Sequence, residues 1–287
     1  MSLFEENVLA QYGDEGSRWL DALSETVSSF AKRYDLTDLS PLEPMSFNYV
    51  LKGKQGSKSI VLKLGVDLSA LQAEADALKS FDGFGGVKLF ESDRGMLLME
   101  EVEPAHPLTE YYPEKNERAT EIVCQLIQKL HAAPLPKEHS FKSLDTVCRR
   151  LDKEDVFNLP FVQKAKRLRD ELLATADSQV LLHGDLHHGN VLQSKDGWVA
   201  IDPKGYVGDP AFDLAAYLVN PIPECLQEDN LFDMLEKRAR QSASLLGISF
   251  DRIMGWLYVK SVLCYLWSKD DGVDSSSWER LLRCITY

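Results

Sequence analysis

The 287-residue chain carries 45 acidic against 32 basic side chains, a formal net charge of −13, which excludes the basic face that a nucleic-acid surface needs. Hydrophobic residues make up 44% and charged residues 27%, an ordinary globular balance that can fill one large core or two lobes. There is no apolar run of about eighteen residues, the first residues lack a basic leader pattern, and the five cysteines are widely spaced. The expectation is a cytoplasmic protein with reduced thiols and no membrane span.

The first predicted element is a helix over residues 3–34, where Leu20, Leu23, Val27 and Phe30 recur at helical spacing. Strands follow over residues 39–64, the clearest being Phe47–Leu51 and Ser59–Leu64, with a lysine-rimmed turn at Gly53–Ser57 between them. Lys63 lies in the second strand and, taken alone, reads as part of a solvent face. Asp67 opens a helix to Lys79 that places Leu71, Ala75 and Leu78 on one side, and Glu74 can face back toward Lys63. Val87–Glu91 and Met96–Val102 are two further strands about the turn Asp93-Arg94-Gly95. The first hundred residues thus hold about five strands and a packed helix, an α+β pattern.

Beyond Pro104 the pattern is helical. Pro113–His131 is expected to bury Ala119, Ile122, Val123, Leu126, Ile127 and Leu130, with His131 closing the last turn as a structural residue. Leu144–Leu151 and Phe161–Ala174 read as helices about a mixed-charge spacer over residues 134–160. A helix is expected from Asp209-Pro210, with Asp at the cap and Asp213 one turn on. Residues 225–245, 250–268 and 278–285 read as helices too. The run Met254–Trp267 is too interrupted, at Lys260 and Ser261, to span a membrane.

The chemistry is concentrated between Val180 and Pro210. A short apolar strand, Val180–Leu182, leads into a loop holding His183, Asp185, His187, His188 and Asn190. Val191-Leu192 and Trp198–Ile201 flank Asp196-Gly197, a strong hairpin signal. Antiparallel pairing brings Asn190 and Asp202 near each other although twelve positions separate them. Carboxylate and amide oxygens suit Mg²⁺, and phosphoryl transfer needs a positioned hydroxyl, metal on the phosphates and a base. Asp185 is the candidate base, and Asn190 and Asp202 are the candidate metal ligands. A zinc site from His183, Asp185, His187 and His188 is the rival reading; adjacent His187 and His188 fit one ion poorly, and no His-Glu-x-x-His is present.

HGDLHHGN followed by IDP resembles the catalytic core of the aminoglycoside phosphotransferases, distant relatives of the protein kinases. The longer pattern HGDLHHGNVL…AIDPKGYVGDPAFDLA is most similar to the streptomycin 6-phosphotransferase and hydroxyurea-resistance branch. The resemblance implies a bilobal, protein-kinase-like α+β fold. Residues 1–101 would form a small lobe with a five-stranded antiparallel sheet, and residues 102–287 a larger, mainly helical lobe. It implies ATP and Mg²⁺ as cofactors, with Lys63 on the phosphates and Glu74 steadying it. The backbone near Glu100 and Val102 would meet the adenine, and Ser46 and its neighbours the phosphates.

His183 and either Asp209 or Asp213 are implied as supports of the catalytic loop, and Lys204 is either a phosphate contact or a loop charge. Glu224, Asp270 and Asp271 are candidate acids for the acceptor. The chain departs from the kinase pattern in lacking G-x-G-x-x-G, in placing Gly184 where kinases have Arg, and in having Asp202-Pro203 for Asp-Phe. The expected activity is transfer of the γ-phosphoryl group to a hydroxyl of a small, cationic, aminoglycoside-like molecule by a monomer. Alternatives are a kinase of another hydroxylated metabolite, a nucleotide-binding protein without turnover, and a metal-dependent hydrolase. A protein kinase is disfavoured because the path from Asp202 to Asp209 leaves little room for an activation loop.

Overall fold

A computed structural model describes residues 1–156 and 158–285, which divide into two compact units. One comprises Met1–Asp82 and Val87–Val102, the other Gly83–Gly86 and Glu103 onward.

The first unit begins with α1 (Leu3–Arg33). Ser2 caps it by accepting the N–H of Glu5, and the Glu5 carboxylate accepts the N–H of Ser2 at 2.7 Å, which satisfies two orphan donors reciprocally. Gly13 breaks the helical path with φ +52°, a conformation that a side chain would oppose. The strands β1 (Leu36–Pro41), β2 (Tyr49–Gln55) and β3 (Lys58–Leu64) are followed by α2 (Leu68–Ser80), β4 (Leu89–Asp93) and β5 (Met96–Glu100). They form one antiparallel sheet in the order β1-β2-β3-β5-β4. Leu51, Ile60, Leu62, Leu64, Met96 and Leu98 make its core, and Trp19, Leu23, Val27 and Phe30 of α1 pack against that core. Asp67 caps α2 by accepting the N–H groups of Ser69 and Ala70 at 3.0 and 2.9 Å.

The second unit contains β6 (Pro104–Pro107), α3 (Asn116–His131), β7 (Lys142–Ser143), α4 (Leu144–Val147) and α5 (Pro160–Ala174). Then come β8 (Val180–Leu182), β9 (Val191–Ser194), β10 (Gly197–Ala200), β11 (Tyr206–Gly208) and α6 (Phe212–Leu218). The last helices are α7 (Glu224–Gln227), α8 (Leu231–Leu246), α9 (Phe250–Asp270) and α10 (Ser276–Cys284). Two small sheets run β10-β9-β6 and β7-β11-β8. All six apolar positions expected on the inner face of α3 are buried, and α9 packs against α5, α6, α8 and α10. No described helix is long and apolar enough to cross a membrane.

Several helix boundaries differ from expectation. α3 starts at Asn116 rather than Pro113, after a turn over residues 112–115 in which the N–H of Lys115 donates to the carbonyl of Tyr111 at 2.8 Å. The expected helix over residues 144–151 divides into α4 and a 3₁₀ stretch, Cys148–Asp152. The expected helix over residues 225–245 divides at Glu228, which is extended; its carboxylate accepts the Tyr112 hydroxyl at 2.6 Å and its carbonyl accepts Arg280 at 2.7 Å. α6 is helical from Phe212, after a turn in which the Asp209 carboxylate accepts the N–H of Ala211 and its carbonyl that of Phe212, both at 3.0 Å; the same carboxylate also accepts Arg252 and Trp256.

Candidate active site

The loop from His183 to Gly205 starts and ends at one place. β8 pairs antiparallel with β11, with Leu182 opposite Tyr206. Inside this closure β9 and β10 form the expected hairpin, with Val191 opposite Ala200. The pairing continues one step further, where the N–H of Ile201 donates to the carbonyl of Asn190 at 3.0 Å. Asp202 follows with φ +59°, an uncommon conformation for a residue with a Cβ. The amide nitrogen of Asn190 donates to the carbonyl of Asp185 at 3.0 Å, which fixes the orientation of that side chain. Asp185, Asn190 and Asp202 are therefore tied to the base of one hairpin.

Two buried residues hold the loop. His183 accepts the N–H of Asp185 on Nδ1 at 3.2 Å and donates from Nε2 to the carbonyl of Ile201 at 2.8 Å. These partners define its neutral tautomer, and burial lowers its pKa in keeping with that form. Asp213 accepts the N–H groups of His183 and Gly184 at 3.0 and 2.7 Å, and the Nε2 of His131 lies 2.9 Å away. Burial would raise the Asp213 pKa, but the hydrogen bond and charge of His131 outweigh it and keep the carboxyl below its usual range.

Of the two candidate supports, Asp213 is thus the one bonded to the His183–Gly205 loop. Asp209 instead joins Arg252 at 2.6 Å and the Trp256 indole at 2.5 Å, so it anchors α9. His131, expected only to close α3, serves the loop through Asp213.

Gly184 has φ +84°, and a Cβ built there would lie 2.7 Å from Cδ2 of Tyr206. Close passage of the backbone under that ring explains why Gly occupies this position. Lys204 donates its N–H to the carbonyl of His183 at 2.7 Å, and the residue is exposed. His188 lies flat against Tyr217, with ring centroids 4.7 Å apart. Among the described residues no group of three or more His, Cys, Asp or Glu is arranged to hold a metal ion.

The peptide that leads into Asp185 has a partner that the sequence did not reveal. Lys260 of α9 donates from Nζ to the carbonyl of Gly184 at 3.1 Å. Burial opposes ionisation of Asp185, yet the Lys260 charge, with a smaller contribution from Lys204, holds its carboxyl below the ordinary range. The available signal was a lone lysine within the apolar run Met254–Trp267, which marks a buried helix that spends one position on a charge.

In the first unit the Lys63 ammonium donates to both oxygens of Glu74 at 2.9 and 2.8 Å. Their side chains are 4% and 9% exposed, so the expected solvent-face alternative for Lys63 is overturned. Ser46 is exposed, and its carbonyl accepts Asn7 at 3.3 Å. The N–H of Glu100 donates to the carbonyl of Lys88 at 3.0 Å, and its carboxylate accepts the N–H of Lys88 at 2.8 Å. Val102 is the last residue of this unit.

The three acceptor candidates differ. Asp270 is held by Arg150 through Nε and Nη2 at 2.6 and 2.8 Å, and the same guanidinium also bonds Asp155. Asp271, just beyond α9, and Glu224, the first residue of α7, are exposed.

The model of the aminoglycoside/hydroxyurea antibiotic resistance kinases matches residues 42–272. The chain belongs to that kinase family. The streptomycin 6-kinase of Streptomyces glaucescens is 27% identical over 274 residues, covering 91% of this chain and 88% of that one. The streptomycin 3″-kinase of Klebsiella pneumoniae is 31% identical over 235 residues, covering 78% and 85%. Among solved structures, an aminoglycoside phosphotransferase from Streptomyces rimosus in complex with ADP and streptomycin aligns with a TM-score of 0.61 at 19% identity, covering 83% and 97%. The family's α+β, protein-kinase-like fold is the one seen here, and the chain is a small-molecule phosphotransferase that uses ATP.

Proposed function

We propose that this kinase moves the γ-phosphoryl group of ATP to a hydroxyl of a small cationic molecule of the streptomycin type. The observation that carries the reading is the tie of Asp185, Asn190 and Asp202 to one hairpin base. The streptomycin kinases among its relatives support the acceptor class, and the net charge of −13 favours a cationic acceptor.

In this reading Asp185 orients the acceptor hydroxyl and receives its proton as the oxygen bonds to phosphorus. The bond from phosphorus to the β–γ bridging oxygen breaks, and its electron pair leaves with ADP. The Lys63 ammonium, steadied by Glu74, binds the nucleotide phosphates. The Glu100 N–H is already engaged, so that residue contributes its carbonyl to the adenine edge and Val102 its N–H. Exposed Ser46 and adjacent amides serve the phosphates.

The donor set suits Mg²⁺. The nitrogen of Asn190 is used on Asp185, which leaves its Oδ1 as the coordinating end, and the Asp202 carboxylate is a second hard oxygen ligand. Bound there, Mg²⁺ would offset charge on the phosphates. The exposed Asp271 and Glu224 are the stronger acceptor candidates, because both oxygens of Asp270 already accept from Arg150.

The test is ATP-dependent phosphorylation across streptomycin, other aminoglycosides, hydroxyurea, sugars and amino alcohols, with Asp185→Asn alongside the parent. A phosphorylated cationic acceptor and a variant at least about a hundredfold slower are expected. Equal rates in parent and variant would remove Asp185 from the chemistry, and exclusive use of a neutral acceptor would overturn the substrate class.

A further inference from the structure

Lys260 is half-buried at the centre of α9, where Ile253, Met254, Trp256, Leu257, Val259, Val262 and Leu263 are all buried. Its ammonium lies 5.2 Å from the Phe212 ring centroid and 5.9 Å from that of Trp267, and it donates to the Gly184 carbonyl at 3.1 Å. Removing an ammonium group from water costs several kcal/mol unless nearby charge offsets it. The offset comes chiefly from the Asp185 carboxylate, with that of Asp213 a weaker neighbour. A neutral amide would serve equally well if α9 needed only a hydrogen bond to the loop.

We propose that Lys260 is a positioning residue for phosphoryl transfer: it pins the Gly184–Asp185 peptide and supplies the positive charge that lets an anionic Asp185 stand beside an incoming phosphoryl group. The inference rests on the kinase reading above. Asp185 must accept a proton while close to phosphoryl oxygens of its own sign, and that repulsion weakens when a fixed cation flanks the carboxylate. Lys260 keeps all its protons throughout; the acceptor proton goes to Asp185 and the electron pair of the broken bond to ADP. Fixed charge of this kind needs no rearrangement during the step, so it acts on turnover more than on nucleotide binding.

The experiment compares full-length parent, Lys260→Met, Lys260→Gln and Lys260→Arg for kcat, for nucleotide KM and for equilibrium binding of Mg·ADP. ATP hydrolysis to water is the readout where no acceptor is in hand. Lys260→Met is expected to lower kcat about a hundredfold with ADP affinity and nucleotide KM within about twofold of the parent. Lys260→Gln, which keeps a donor but not the charge, should be as slow as Lys260→Met, and Lys260→Arg should recover at least about tenfold over Lys260→Met. Parental kcat in Lys260→Gln would reduce Lys260 to a neutral tie, and equal losses of kcat and ADP affinity in Lys260→Met would reduce it to packing; either overturns the proposal. A folded parent that neither binds ADP nor turns over ATP fails the kinase reading itself, and this inference with it.

Discussion

Lys63 and Glu74 stand eleven residues apart in sequence, and the ammonium of one bonds both carboxylate oxygens of the other. Both side chains are withdrawn from water. Breaking such a pair leaves an unmatched buried charge, whereas replacing both members with apolar groups removes the problem. Glu74→Gln is therefore expected to destabilise the protein by about 3–5 kcal/mol, and Lys63→Met/Glu74→Leu by less. Urea unfolding of Glu74→Gln and of the double variant measures the difference. Both should raise nucleotide KM, so stability and function separate in the double variant.

Asp213 gives the expected pH behaviour. Its folded pKa is depressed, with burial opposed by His131 and the loop amides. A depressed carboxyl contributes stability that is fully present above its unfolded pKa of about 3.9 and is lost as pH falls through the lower folded value. Asp213→Asn should thus be less stable at neutral pH and show a shallower loss below about pH 4. Chemical unfolding at a series of pH values checks this, and parallel curves for parent and variant would contradict it.

Gly184→Ala tests the passage beneath Tyr206. The methyl group meets Cδ2 at 2.7 Å on a backbone with φ +84°, so either the ring or the loop must move. A cost of about 1–3 kcal/mol is expected. A fall in kcat should accompany it, because the displaced peptide carries Asp185. Thermal unfolding and steady-state kinetics report the two effects separately.

Arg150 and Asp270 lie 120 residues apart and form a two-pronged contact. Asp270→Asn should leave acceptor KM within about twofold and cost about 1 kcal/mol or less, since that carboxylate is partly solvated. Asp271→Asn and Glu224→Gln are expected to raise KM for a cationic acceptor. Competition by the same acceptor in a nucleotide-saturated assay orders the three positions.

These residues show what a sequence exposes. The sheet was legible because its strands alternate over short distances between clear turns, and the hairpin because Asp196-Gly197 marks it. Glu74 could be aimed at Lys63 because a strand and the helix after it have few ways to pack. Lys260, by contrast, meets Gly184 across 76 positions, and α9 is buried around most of its circumference, so periodicity gives no preferred face. The contact of Arg150 with Asp270 depends on how α9 packs against the segment near α5, which no local pattern encodes. Asp209 and Asp213 are both acids at the entry to one helix, and only the fold separates an anchor for Arg252 from a clamp on the loop.

Only Pro203, Lys204 and Gly205 separate Asp202 from β11, whose pairing with β8 closes the catalytic loop. A stretch that short, bonded at both ends, cannot be ordered or released by a covalent mark in the way a long regulatory segment can. An extra residue inserted between Asp202 and β11 would find no slack there and would shift Asp202 against Asn190.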